Sequence, residues 1–367
     1  MRQTRVAFVV NGAAGSAMAL RAEAFAVRLP GFVCGIIYRT GGRLGAAKRM
    51  ARGLAAAQPD VCYVLDCGAS GVAAAGVHRL RTGTPFVLDT GDAVVELGMA
   101  LGRGRVGIAA TRAVERYALR SSAAIVVRGS FHRELLAARG VPATFIPDGV
   151  TVDRFAPSGA ARRLPGPLII GLVGSSIWVP ARQSCYGWEL VELIRLLRHR
   201  LSVRGVIIGD GSGIDVLRRR CAEYGIVNLI EFAGRVPYAE LPNRLREFDI
   251  CLSTQTDDVI GNVRTTGKLP LYLAAGRFVL ASRVGEAARV LPPEMLVDYQ
   301  GEHDFVYPAK LAARIESLVT RGTDLSHCPE CVDLAREHFE YDRLALRVAK
   351  VLEGVVERTV RRAPQHV

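Results

Sequence analysis

Short apolar runs alternate with helical segments along the whole chain. RVAFVV at residues 5–10 reads as a strand and SAMALRAEAFAVRL at 16–29 as a helix. Apolar strands recur at FVCGIIY, VCYVLD, PFVLDT and AAIVV, with Ala-, Arg- and Leu-rich helical segments between them. Such runs, apolar on both faces and spaced by helices, predict a parallel sheet covered on both sides. The segment VTVDRFAPSGAARRLPGP breaks the pattern, because it is rich in Pro, Gly and polar residues and lacks sustained periodicity. A second series follows with LIIGLVG, GVIIGDG, LIEFAG, DICLST, RFVLAS and EMLVDY. In GWELVELIRLLRHRL, the positions Leu190, Leu193, Ile194 and Leu197 fall on one helical face. Residues 341–360 read as a closing helix. The pattern predicts two doubly wound α/β domains in tandem, at residues 1–158 and 159–336, with a terminal helix in 337–367. Ligands of such sheets bind beyond the carboxyl ends of the strands, so a cleft between the domains is the expected site.

Composition narrows the setting. Half of the 367 residues are hydrophobic, enough to fill the cores of two ordinary domains. No apolar run reaches the roughly 20 residues of a membrane span. Asn11-Gly12 interrupts the first run, which favours a strand over a leader peptide and a cytoplasmic protein. The eight Cys are scattered in apolar segments, as at Cys34, Cys62 and Cys251, and are expected to act as small hydrophobes rather than disulfides. Cys328 and Cys331 form a CxxC beside His327, but no second pair completes a zinc site, so a loop is expected there. Neither a metal nor a cofactor is expected. The net charge of +13 favours anionic partners. Nucleic acid is not expected among them, because no helix-turn-helix, zinc-finger or aromatic-rich RNA motif stands out. Basic residues crowd 39–52, namely Arg39, Arg43, Lys48, Arg49 and Arg52. That segment suits an anionic membrane surface, an anionic acceptor or a solvated helical face.

Three glycine-bearing turns carry candidate chemistry. NGAAGS, with Gly12 and Gly15, joins the first strand to the first helix, where backbone can approach an anion. It is not GxGxxG, and no acid ends the next strand, so it does not read as a dinucleotide site. IIGDGSG repeats the strand–turn–helix arrangement with Gly209 and Gly211, whose amides suit an anion or a ribose. The densest cluster is Arg264, Thr265, Thr266, Gly267 and Lys268, directly before the small-residue helix PLYLAAG. Arg can bind phosphate oxygens bidentately, Lys acts as a point charge, and hydroxyls and loop amides add donors.

IPDGVTVDRFAP resembles the I-P-N-G-V-D-x-x-x-F-x-P signature that ends the first domain of family 4 glycosyltransferases. IIGDGSG followed by VNLIEFAGRVPYAELPNRLREFDICLST resembles that family's strand, G-D-G turn, helix, F-x-G-x-V, helix and strand succession. KLPLYLAAGRFVLAS is similar to its K-L-x-E-Y-L-A-x-G-x-P-V-x-A-S. The matches run in family order through the second half, and the first half fits more loosely. The resemblance implies the GT-B architecture, with two Rossmann-like domains facing across a cleft and a nucleoside diphosphate sugar held mainly by the second. It also implies a last helix crossing back to the first domain, and sugar transfer to an acceptor hydroxyl with retention and without a metal. Backbone around Arg235 and Val236 would meet the base.

The departures are as informative. Leu271 stands where the family has its second acid, and the first would fall near Val263 or Arg264. Asp257 and Asp258 are the nearest carboxylates that could replace one. Tyr186 stands where a Lys before Gly is typical, so Arg264 and Lys268 are expected to supply the missing charge. Asp92 falls beside the position of the family's first-domain cleft His, and is the candidate hydrogen-bond acceptor or base, with a helix-capping role as the alternative. The acceptor is expected to be lipid-linked or anionic, with the chain peripheral on the inner membrane face. Two other readings stay open: a GT-B nucleotide-sugar epimerase, and a catalytically degenerate nucleotide-binding partner subunit.

Overall fold

The computed structural model describes residues 3–156, 166–264 and 267–362. Its first sheet holds β1 (Thr4–Val10), β2 (Phe32–Tyr38), β3 (Val61–Leu65), β4 (Phe86–Thr90), β5 (Ala124–Val127) and β6 (Thr144–Phe145). The second holds β7 (Leu168–Val173), β8 (Val203–Ile208), β9 (Ile230–Gly234), β10 (Ile250–Ser253), β11 (Phe278–Ser282) and β12 (Leu296–Val297). Every strand pair is parallel. The strand orders are β2-β1-β3-β4-β5-β6 and β12-β11-β10-β7-β8-β9. The expected two doubly wound α/β sheets are thus present. The short β6 was not foreseen, because two residues leave no apolar run to read.

The orders place the topological switch points where ligands of such sheets bind. In the first sheet the switch lies between β1 and β3, and in the second between β7 and β10. Burial follows the sequence pattern. Val61–Leu65 and Phe86–Leu88 are wholly buried, as strands covered on both faces must be. The helix Trp188–Leu197 buries Leu190, Leu193, Ile194 and Leu197 completely.

Chain connectivity links the two sheets twice in one place. The Val150 N–H donates to the Phe339 carbonyl at 2.9 Å, and the Tyr341 N–H donates back to Val150 at 3.1 Å. Beyond this crossing, the helix Tyr341–Arg362 lies on the first sheet. Its Tyr341, Leu344, Val348, Leu352 and Val355 share a core with Phe8, Phe25 and Tyr63.

The sulfurs of Cys328 and Cys331 are joined as a disulfide, which corrects the expectation of a plain loop. The turn into the helix Pro329–Phe339 brings their Cα atoms to 5.3 Å, inside the span a disulfide requires. The other described cysteines are free and mostly buried, as expected. Among the described residues, no helix is long and apolar enough to cross a membrane, and no three His, Cys, Asp or Glu side chains converge as metal ligands.

Candidate active-site cleft

The switch point of the second sheet is open. A cavity of about 570 Å³ sits over it, lined by Val173 at the end of β7, by Gly174 after it, and by Thr254, Gln255 and Thr256 beyond β10. Ala17, Met18, Asp92, Arg128 and Asp148 of the first sheet's side complete it. The switch point of the first sheet is closed by the chain itself. The Asn11 side-chain amide donates to the carbonyls of Leu65 (2.9 Å) and Asp66 (3.0 Å) and accepts from the Gly71 N–H (2.8 Å).

The first-domain wall is a buried charge cluster. Arg21 projects from the helix Ala17–Ala26, Tyr63 from β3, Asp89 from β4, and Arg128 follows β5. Asp89 accepts from Arg21 Nε at 2.9 Å, Arg128 Nε at 2.9 Å and the Tyr63 hydroxyl at 2.8 Å. Arg21 also donates to the carbonyls of Pro147 (2.6 Å) and Ile146 (2.9 Å). Asp148 joins at 3.5 Å from Arg21 and 3.8 Å from Arg128. Burial alone would raise the Asp89 pKa, but the two guanidiniums and the Tyr63 hydroxyl hold it below the ordinary carboxylate value. Burial raises the pKa of Asp148, the residue that stands where the resembled signature has Asn. It also raises that of Asp66, bound to Arg128 at 3.0 Å, to about 6.

The second-domain wall is built differently. Lys268, at the first position of the helix Lys268–Ala274, places its Nζ 3.4 Å from the centre of the Tyr186 ring. The Tyr186 hydroxyl in turn donates to the Leu252 carbonyl at 2.9 Å. Burial lowers the Lys268 pKa, and the nearby Glu189 carboxylate opposes that shift. Glu189 is 1% exposed, in the first turn of the helix Trp188–Leu197. One carboxylate oxygen accepts from the Gly187 N–H at 3.1 Å. The other, Oε1, has no hydrogen-bond partner among the described residues, and neither has the Thr254 hydroxyl. Burial raises the Glu189 pKa, and the amides at the helix start, the Thr254 hydroxyl beside it and the Lys268 charge counter it.

The residues singled out from the sequence divide. Asp92, Arg264, Gly267 and Lys268 all line the cavity. Thr265 and Thr266 lie outside the described residues. Asp92 and Arg264 meet each other across the cleft, Nε to Oδ1 at 2.8 Å. Gly12, Gly15, Gly209, Gly211, Arg235 and Val236 are not among the lining residues. Gly209, at φ 141°, packs against its own domain: a Cβ there would stand 1.8 Å from the Gly174 carbonyl oxygen. At Gly211 a Cβ would stand 2.4 Å from the Ser176 carbonyl oxygen. These glycines let the loop after β8 rest on the loop after β7, and so shape the cavity from behind. Asp258 caps the helix Val259–Val263 through the Gly261 N–H at 2.8 Å and pairs with Arg182. Asp257 is exposed and takes the Asn262 amide at 3.1 Å. Neither lines the cavity, and Leu271 packs on the second-domain core instead.

Sequence reasoning missed Glu189, Tyr186 as a ring under Lys268, Thr254 and the Arg21–Asp89–Arg128 cluster. Glu189 did leave a signal. It lies four residues before Leu193 and eight before Leu197, hence on the apolar face of its helix. An acid on that face is out of place unless something binds it.

Residues 2–149 match the family described as Glycosyl transferase 4-like domain. Among curated proteins, none matches the chain in sequence. Among solved structures, the chain is similar to sucrose-phosphate synthase from Thermosynechococcus elongatus, with a TM-score of 0.73 at 15% identity, covering 97% of this chain and 100% of that one. It is similar to Anabaena HepE in complex with UDP-glucose, with a TM-score of 0.71 at 14% identity over 95% and 99% of the two chains. A glycosyltransferase from Rickettsia africae gives 0.65 at 14% identity over 99% and 100%. The shared fold is GT-B, with two α/β domains facing across a cleft.

Proposed function

We propose that this chain, with a glycosyl transferase 4-like first domain and the GT-B fold, is a glycosyltransferase that moves a sugar from a nucleoside diphosphate sugar to an acceptor hydroxyl. The observation that carries this reading is the open switch point of the second sheet, where a half-buried lysine and a buried carboxylate line one cavity. A departing nucleoside diphosphate needs its growing negative charge stabilised by preorganised donors. Lys268 is the cation at hand, supported by the amides of the loop around Gly174 and by Gly267. The transfer is read as retaining and independent of a metal, with the second domain holding the donor and the first the acceptor. Asp92 is read as the group nearest the acceptor hydroxyl. In that role it would exchange its contact with Arg264 for one with substrate. HepE was solved with UDP and with UDP-glucose, which makes uridine diphosphate compounds the first ligands to try.

Thermal unfolding with a panel of nucleoside diphosphates, followed by nucleotide-sugar hydrolysis, tests the reading. A raised midpoint with one diphosphate and slow release of sugar from its conjugate are expected; no shift with any of them sinks it. A partner subunit without activity is the second reading, favoured by Asp92 and Arg264 neutralising each other. Tight diphosphate binding without turnover in any acceptor mixture would select it.

The acceptor is read as lipid-linked or anionic, with the first domain resting on an anionic membrane. Support comes from exposed Lys48, Arg49 and Arg52 on the helix Arg43–Ala57. Further support comes from exposed Val106, Arg105, Arg112 and Arg116 on the helix Arg105–Ser121. Arg49 is partly engaged by the Thr40 carbonyl, 2.9 Å from its Nε. Flotation with liposomes containing anionic lipid, but not with neutral ones, is the expected outcome.

A further inference from the structure

The helix Ser130–Ala137 of the first domain begins without a cap of its own. Gly129 holds the cap position and has no side chain to offer the free amides of the first turn. The cap comes from the other domain. Glu286, in the turn after β11, accepts from the Ser130 N–H through Oε1 at 2.5 Å. Ser130 is 4% exposed and Glu286 6%. The helix dipole favours a carboxylate at this end, and a charged acceptor makes a stronger bond than a neutral one. Two neighbouring contacts fix the same register. Gly129 lies so close to the second domain that a Cβ there would stand 2.3 Å from the Val263 carbonyl oxygen. Arg289 reaches Glu134 of the capped helix at 3.0 Å. On the second-domain side, the Asn262 amide oxygen accepts from the Gly285 N–H at 3.2 Å and braces the turn that carries Glu286. The backbone crosses between the domains beside Val150 and Tyr341. The Glu286 contact is one side chain on one amide, so it can part without moving a covalent link.

We propose that Glu286 is a latch between the domains. It caps the helix Ser130–Ala137 while the two domains are together and leaves it uncapped when they part. The role is one of positioning, since neither Glu286 nor Ser130 lines the cavity. What the latch holds in place is the helix Val259–Val263, which leads directly into Arg264 and sets it 2.8 Å from Asp92 across the cleft. The latch does not depend on which ligand the cleft takes.

Small-angle X-ray scattering of the full chain tests it. Glu286→Ala should shift the balance toward the open arrangement by about tenfold or more, read as a larger radius of gyration than in wild type. Glu286→Gln keeps an acceptor for the amide and should fall between the two. Gly129→Ala works from the other side, as a wedge against Val263 that leaves the carboxylate in place, and should open the cleft as well. If Glu286→Ala and Gly129→Ala both scatter like wild type, the proposal is overturned. A lowered unfolding midpoint would then mean that Glu286 stabilises a helix without setting the domains. If Glu286→Ala does not fold, Gly129→Ala decides in the same way. Hydrolysis of UDP-glucose gives a second readout. In Glu286→Ala kcat should fall about tenfold with KM nearly unchanged, and Glu286→Gln should recover part of the loss. A raised KM at constant kcat would place Glu286 in ligand binding and overturn the positioning role. No hydrolysis by wild type counts against the nucleotide-sugar reading alone and leaves the scattering to decide.

Discussion

The two walls of the cleft handle buried charge in opposite ways. On the first-domain side, Asp89 accepts three hydrogen bonds, and Arg21 is bound by Asp89 and two backbone carbonyls. On the second-domain side, Lys268 rests on a ring, while Glu189 Oε1 and the Thr254 hydroxyl have no hydrogen-bond partner among the described residues. The same division holds at the switch points, one plugged by Asn11 and the other hollow. A polar network closed on itself is scaffold, because any ligand would have to break bonds already made. A network left open costs stability and is kept where binding repays it. The difference separates a wall whose buried charges are fully bonded to one another from one whose polar groups face the cavity, although both sides carry buried charge.

Removing Asp89 should break the closed wall outright. Asp89→Ala leaves Arg21 and Arg128 buried around a lost counterion, and about 3–5 kcal/mol of stability should go. Urea unfolding reads this, and a midpoint like that of wild type would show that the cluster is not scaffold. Lys268→Ala should do the reverse, with turnover down on the order of 10²-fold and a much smaller stability change. The sign of its pH dependence follows from burial, which lowers the Lys268 pKa in the free protein. A bound diphosphate favours the protonated amine, so binding takes up a proton. Affinity for a nucleotide sugar, whose diphosphate does not titrate near neutrality, should fall as pH rises from neutral into the alkaline range. In Lys268→Ala that slope should vanish; a slope that survives assigns the titration elsewhere. The smallest effect belongs to the contact between the walls. Asp92 and Arg264 are each about one-third exposed, so Asp92→Asn should cost roughly 0–1 kcal/mol in thermal unfolding. A larger loss would mean that the walls are fastened together and not merely touching.

Much of the fold was legible because strands covered on both faces have to be largely apolar, as Val61–Leu65 and residues 278–281 are. The helix Trp188–Leu197 announced its buried face by spacing alone. The site was legible only in part. Lys268 and Arg264 stood out as a charge cluster next to glycine, and both reach the cavity. Glu189 did not stand out, since an acid in a first helical turn normally complements the helix dipole in solvent. Only its place on the apolar face argued otherwise. The cluster around Asp89 was invisible for another reason. Arg21, Tyr63, Asp89 and Arg128 come from four separate elements, and no linear pattern shows that folding will converge them. Gly209 and Gly211 misled in the opposite sense, because glycine marks a close approach without saying to what. Here the neighbour is the loop after β7, not a ligand.

The paired crossings at Val150 and Tyr341 also bear on how the molecule is made. A ribosome delivers the first sheet early, yet a share of that sheet's core belongs to residues beyond 340. Until those residues emerge, the faces of Val6, Phe8 and Phe25 that the last helix will cover have no lid. The second sheet has all its strands by residue 297 and its flanking helices by 339, so it is equipped to finish first. The core of the first sheet is therefore complete only after every strand of the second has been made. The interval spans the whole second sheet, from Leu168 to Val297.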